Sequence, residues 1–376
     1  MTETALHPVG GAVNPVAISL VDTDVHNISY TDALLPYLPQ RWAERLRTFG
    51  VRTRAEADVT PALRPQAGRH DAVPPCGVAG GDPVFARRQH LDMFGVDIAI
   101  LNNIPGQISH SGGNDPVVFS AALEAANNDW TMDQWFGSDP RWRGSVAIQY
   151  DNPAFAVAEI ERCRALDDRW VQAVVGTRTE RPFGHEKYWP LFEALTHYDM
   201  PLAFHPGGSG SGQLSGAGWP SYYFENHAGY QYPVVSQVSS MVFEGVFDRW
   251  PTLKVVVVEG GWSWVAPFVW RMESAMDVLG SEVSHLQRRP AEYLAEHFWF
   301  TTQPMEEPTR SEWFTGALDQ FSRLGLVERL MFSSDYPHWD YDSPAEALPH
   351  DLPTDVRQSI MADTAAALYG FGRRAR

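Results

Sequence analysis

Cysteine is nearly absent. Cys76 and Cys163 are the only two in 376 residues. That excludes a disulfide-built scaffold and any CxxC metal site, and it suits reduced thiols in a cytoplasmic protein. Positive charge is scarce as well. Lys plus Arg number 29 against 46 Asp plus Glu, giving a net charge of −17. Such a chain lacks the basic footprint of a nucleic-acid binder and is repelled by an anionic membrane surface. No apolar run approaches the roughly 20 residues that span a bilayer; the longest, such as Leu253 to Val258, are strand-sized. The opening MTETALHPVGGAVNP has no basic segment followed by an apolar stretch, so residues 1–16 read as a loose tail rather than a secretory signal. No GxSxG elbow occurs and neither cysteine has a recognisable His partner, which argues against a covalent Ser or Cys mechanism.

What is present is apolar and aromatic. Hydrophobic residues make up 44% of the chain, and 14 are Trp. This is ample for a core and for an aromatic-lined pocket. Strand-like runs end near residues 26, 102, 149, 176, 205, 259, 303 and 335, and helical segments alternate with them. The runs are apolar on both faces, as in parallel strands covered by helices. Eight such units predict a (β/α)8 TIM barrel, α/β in class, formed by a single domain over 17–371. Residues 50–83, rich in Gly, Pro, Arg and Ala, read as an inserted lid-like excursion. A glycine-rich segment, GGSGSGQLSGAG, opens a long loop after strand five. It lacks the immediate helix that a nucleotide-binding turn requires.

The polar residues fall where a barrel places its chemistry, at the C-terminal ends of strands. Strand one ends in Asp22-Thr23-Asp24-Val25-His26, strand five in His205, strand six in Glu259 and strand eight in Asp335. In a regular strand Asp22, Asp24 and His26 share one face. A lone acid at a strand end is often a helix cap. Four coincident ends, all His or carboxylate, are not explained that way, and burying these acids together is unfavourable without a cation. The predicted metal-ligating set is Asp24, His26, His205, Glu259 and Asp335, with Asp22 in reserve and His227 of the loop FENHAGY as a further candidate. Asp335, Glu259 and His338 are the candidate catalytic groups. Gly260 and Gly261 are expected to leave room beside Glu259 for metal or substrate. His185 and His197 are read as structural.

The stretches VDTDVHN (21–27), PLAFHPGG (201–208), FEGVFDRWPTLKVVVVEGGWSW (243–264), FTTQP (300–304), LMFSSDYPHWD (330–340) and MADTAAALYG (361–370) resemble the amidohydrolase-related family. These are metal-dependent TIM barrels that also include non-oxidative decarboxylases. The hydrolases of that group open with His-x-His; here Asp24 takes the first place, an acid as in the decarboxylase branch. Glu259 stands where the family usually has His. The carboxylate-rich set resembles that of the nonheme diiron monooxygenases of platensimycin-type diterpenoid biosynthesis. That resemblance implies two iron ions, O2 as co-substrate, an electron donor, and hydroxylation of a small acid or acyl-CoA in secondary metabolism. The alternatives are a hydrolase using a metal-bound water with Asp335 as base, or a decarboxylase of an aromatic acid, each with one zinc or manganese. Arg41, Arg45, Arg69, Arg87 and Arg88 read first as solubilising charge and are the candidates for CoA phosphates. The aromatic content favours a homodimer.

Overall fold

The computed structural model describes residues 18–51, 67–103, 115–205, 213 and 215–372. The predicted tail over 1–16, the middle of the 50–83 excursion and the glycine-rich start of the loop after strand five lie outside them. Among the described residues there is one sheet of eight strands: β1 (Val21–Val25), β2 (Ile98–Leu101), β3 (Trp142–Ala147), β4 (Trp170–Gly176), β5 (Leu202–His205), β6 (Val255–Val257), β7 (Phe298–Thr301) and β8 (Leu330–Met331). The strands pair in sequence order, every pair parallel. The segment after β8 returns to β1 through the parallel bridge Val25–Tyr336 and the bond from Thr23 N to Phe332 O, 3.1 Å. The architecture is the expected (β/α)8 TIM barrel.

The apolar runs explain the two layers. In the valine run of β6, Val255 and Val257 pack outward among the helix residues, while Val256 and Val258 point inward. This is the period-2 alternation of a strand buried on both faces. Inside, Val21, Ile98, Ala203, Val256, Trp299 and Met331 fill the barrel, and Ala362, Ala365 and Leu368 of the C-terminal segment seal its floor. Each such buried aliphatic side chain contributes roughly 1.5–3 kcal/mol.

Several helices differ from expectation for local reasons. The helical segment before β6 is split into Gln231–Phe243 and Val246–Arg249, because Gly245 between them is left-handed. Helix Pro290–His297 is not evident in the sequence, since two turns carry too little periodicity. Pro290 starts it, and Glu292 accepts from Arg289 N at 2.8 Å. No described helix is long and apolar enough to cross a membrane. Cys76 and Cys163 are not disulfide-bonded.

The described end of the excursion lies against the mouth of the barrel. Arg69 N donates to Pro337 O and Trp339 N donates to Ala67 O, at 2.9 and 2.7 Å. Gly80 has φ +73°, and a Cβ there would come within 2.6 Å of His26 O. Only glycine permits that approach.

Candidate metal centre

β1 does not keep a single phase. Asp22 pairs with Ala99 but Val25 with Leu101, so a bulge lies between them. Val21 consequently packs inside the barrel and Val25 outside it. The expectation that Asp22 shares a face with Asp24 and His26 is therefore corrected. Asp24 and His26 enter the rim; Asp22 leaves it. Asp22 Oδ2 lies 2.6 Å from His90 Nε2, and its Oδ1 accepts from the backbone N of Asp24 and of Ser334. Asp22 ties β1 to the segment after β8 and is no metal reserve.

Glu259 and Asp335 reach the rim by a different device. Each stands beyond the end of its strand, and each is left-handed, with φ +49° and +58°. A non-glycine residue held there costs about 1–2 kcal/mol, a strain that clusters at functional sites. The turn at Glu259 is made with Gly261, φ +66°, while Gly260 is fixed by packing: a Cβ there would meet Val257 Cγ1 at 2.4 Å and Val234. These glycines serve the backbone and core packing. The expected room for metal or substrate beside Gly260 is not what they provide.

Six groups converge. His26 Nε2 lies 2.7 Å from Asp335 Oδ1, 3.2 Å from Glu259 Oε1 and 3.5 Å from Asp24 Oδ1. His205 Nε2 lies 3.3 Å from Glu259 Oε1 and 4.0 Å from Asp24 Oδ2. His338 Nδ1 lies 2.6 Å from Asp335 Oδ1. Two overlapping sets emerge whose donor atoms all fall within 4.8 Å of one another: Asp24, His26, His205, Glu259 and His26, Glu259, Asp335, His338. His227 joins neither. It stands at the mouth, 2.9 Å from Asp340 Oδ2.

The tautomer of His26 indicates what belongs in the centre. Its Nδ1 lies 2.8 Å from the carbonyl of Asn102 and must donate to it, leaving Nε2 as the atom that faces three carboxylates. Either a proton or a metal ion has to sit there. Without a metal, burial opposes charge on His26, but Asp24, Asp335 and Glu259 together raise its pKa well above the usual value. Burial likewise raises Asp24, to about 6, against the pull of His26 and His205. Burial and then the charge of Glu259 push Asp335 well up, while for Glu259 the two imidazoles outweigh burial and hold it well down. His338 is lowered to about 3, first by burial and then by His26. Asp24 Oδ2 is buried and accepts no hydrogen bond from the described residues. Two imidazoles and convergent carboxylates, one with an open oxygen, fit a divalent cation.

An aromatic wall flanks the centre. Trp339 Nε1 donates to Tyr223 OH at 3.1 Å, and His227 packs at a tilt against Tyr230 and Trp339, with ring centroids at 5.0 and 5.5 Å. Gln303 Nε2 holds Asp340 Oδ2 at 2.9 Å. Asp340 in turn raises the pKa of His227, against the effect of burial. Arg178, just past β4, is buried and close enough to Tyr230 for its charge to act on that phenol. Sequence reasoning missed Asn102, His90, Asp340 and Arg178. Asn102 had the one usable signal, its place at the end of the β2 run. Of the candidate phosphate-binding arginines, Arg45, Arg69 and Arg87 pair with Asp115, Asp71 and Asp92.

The sequence model of the amidohydrolase family matches residues 21–371. The chain belongs to that family. Among curated proteins it is 25% identical over 235 residues to gamma-resorcylate decarboxylase of Polaromonas sp. (strain JS666), an alignment covering 58% of this chain and 67% of that one. Among solved structures, this amidohydrolase-family chain is similar to an amidohydrolase from Mycobacterium avium subsp. paratuberculosis K-10 (TM-score 0.70, 20% identity, 94% of this chain and 100% of that one). It is also similar to dihydroxybenzoic acid decarboxylase from Polaromonas sp. JS666, solved with manganese and the inhibitor 2-nitroresorcinol (TM-score 0.62, 17% identity, 95% and 98%). At those identities the structures speak to the fold.

These relatives overturn the oxygenase expectation. The curated relative is a decarboxylase, a structural neighbour carries manganese, and none of the three is a diiron monooxygenase. The physical reason is visible at Glu259, on which that expectation rested. Its Oε1 faces the same two imidazole nitrogens, His26 Nε2 and His205 Nε2, that Asp24 faces. Both donor sets that contain Glu259 also depend on the one inward nitrogen of His26, Nε2, so they form one overlapping cluster and not two complete ligand sets.

Proposed function

We propose that this protein is a metal-dependent, non-oxidative decarboxylase of a hydroxylated aromatic acid. The observation that carries the reading is Asp335. Its buried carboxyl sits in a strained turn, 2.7 Å from His26 Nε2 and 2.6 Å from His338 Nδ1, beside a donor set that fits a divalent cation. The decarboxylase relatives support the same reaction class.

Asp24, His26, His205 and Glu259 would hold the cation, taken as a single manganese ion. Its chemistry there is to anchor and polarise the substrate's oxygens. Tyr223, Tyr230 and Trp339 provide a wall for an aromatic ring, and His227, oriented by Asp340, faces the substrate rather than the cation. Arg178 brings positive charge to this rim for a carboxylate. Asp335 carries the reacting proton, because burial and Glu259 favour its protonated form. It delivers that proton to the ring carbon bearing the carboxylate. The carbon–carbon bond then breaks, its electron pair stays with the ring, and CO2 leaves. The sum is ArCOO− plus H+ giving ArH plus CO2, with no oxidant or reductant. His338, held neutral by its surroundings and partly exposed, returns a proton from solvent to Asp335.

The test is a panel of hydroxybenzoic acids offered to the manganese-loaded protein with and without O2. CO2 release that is equal in both gases is the expected result. Turnover that requires O2, or none across the panel with manganese bound, would overturn the reading.

A further inference from the structure

Among the described residues, a polar thread crosses the barrel from its floor to the metal centre. It starts at Tyr369, in the helix Thr364–Tyr369 whose neighbours seal the floor. Tyr369 OH donates to Gln172 Oε1 at 2.6 Å. Gln172 Nε2 donates to Ser145 Oγ and Asn102 Oδ1, at 2.9 and 3.1 Å. Ser145 Oγ donates to Asn102 Oδ1 at 2.5 Å. Asn102 Nδ2 donates to Asp24 Oδ1 at 2.8 Å and to Thr23 O at 3.1 Å. Gln172, Ser145, Asn102 and Asp24 are all within 1% of full burial.

The thread has one polarity. A carboxylate at its end only accepts, so Asn102 must present its NH2 there and its oxygen to β3 and β4. That oxygen accepts from both Ser145 and Gln172, so Gln172 must present its NH2 and turn its own oxygen to the floor. Only a donor can meet it, and Tyr369 is that donor. Removing the phenol hydroxyl leaves a buried carbonyl unmet and frees the Gln172 amide to rotate. Asn102 then loses one of the two bonds that its side-chain oxygen accepts. Asn102 also accepts a hydrogen bond from His26 Nδ1 at its backbone carbonyl, so it touches two members of the centre at once.

We infer that Tyr369 is a positioning residue for the metal centre: through Gln172, Ser145 and Asn102 it holds Asp24 with Oδ1 satisfied and Oδ2 turned to the cation. The seating of the C-terminal helix is thereby coupled to metal retention at the opposite end of the barrel. The inference rests on the metal-binding part of the proposed function and not on decarboxylation.

The experiment measures manganese affinity of the full chain by calorimetry, alongside thermal unfolding of the metal-free protein. Tyr369→Phe is expected to weaken manganese binding about three- to tenfold, below the 10–100-fold effect of partners bonded directly to ligands. Ser145→Ala should act in the same direction, and the double variant should lose no more than the stronger single variant, because the two changes cut one thread. Unchanged affinity in Tyr369→Phe, even with a lower unfolding temperature, would reduce Tyr369 to a floor-packing residue. Losses that simply add in the double variant would also overturn the coupling. If Tyr369→Phe does not fold, Gln172→Leu takes its place with the same expectations. Failure of the unaltered protein to bind manganese would overturn the metal reading itself, while tight binding without CO2 release would leave this inference standing and remove the decarboxylase.

Discussion

The rim and the floor of this barrel are built from the same eight strands on opposite rules. At the floor, Val21, Ile98, Ala203 and Met331 meet Ala362, Ala365 and Leu368, all in ordinary backbone conformations. At the rim, three carboxylates and three imidazoles crowd together, and two of the acids are held left-handed. The floor gains stability from burial. The rim spends it, on strain and on unfavourable buried charge, to hold groups where chemistry needs them. Packing therefore secures the barrel at one end so that the other end can tolerate a poor metal-free arrangement.

The comparison can be broken most sharply at Asp335. Asp335→Asn keeps shape but removes the transferable proton, and should lower decarboxylation by roughly 10²–10⁴-fold. Manganese should still bind and the fold should persist, as seen by calorimetry and circular dichroism. Normal turnover in this variant would take the proton-carrying role away from Asp335.

At the floor the expected effect is the reverse in kind. Met331→Ala leaves a cavity and should cost about 2–5 kcal/mol of stability, read by urea unfolding. Manganese affinity per folded molecule should change less than in Tyr369→Phe, because the cavity leaves the hydrogen bonds from Tyr369 to Asp24 in place. A floor cavity that weakened metal binding as much as Tyr369→Phe while leaving stability intact would show that apolar packing, and not the polar thread alone, reaches the rim.

Glu259→Gln tests the rim more finely. A neutral amide is a poorer ligand than a carboxylate, so manganese affinity should fall by at least about tenfold. Metal-free stability should shift much less, because the side chain's size is kept. Equal affinity would place Glu259 outside the ligand set.

The smallest effect is a pH dependence. Asp24 has a raised pKa of about 6 in the folded, metal-free protein, against an ordinary 3.8. A proton there competes with the cation, so manganese affinity should fall as pH drops below about 6, by up to roughly tenfold per unit. Stability of the metal-free protein should move the other way. Between about pH 4 and 6 the folded state binds the proton more firmly than the unfolded chain, so raising pH through that window removes stability. Titrations of affinity and of unfolding temperature across pH 4–8 should show the two opposite slopes.

Much of this was legible in the sequence because the signals are local. Apolar runs such as Leu253 to Val258 and the helical segments between them specify the order of elements, and eight such units leave few arrangements other than a barrel. Strand ends name Asp24, His26, His205, Glu259 and Asp335, because a parallel barrel puts strand ends at one rim whatever else it does. The decarboxylase branch was legible in Asp24 too, but the weight placed on Glu259 led away from it.

What only the tertiary structure decided depends on contacts between residues distant in the chain. The bulge that divides Asp22 from Asp24 is set by pairing with β2, and Asp22 then finds His90, 68 positions away. The left-handed turn at Glu259 has no marker in residue type, and that at Asp335 only the weak one that Asp enters this region more readily than most; both persist because the surrounding barrel over-determines them. Tyr369 meets Gln172 across 197 positions. Periodicity in the sequence determines which face of an element is apolar. It cannot determine which polar group on another element will meet the few that point inward, because that meeting exists only once the barrel has closed.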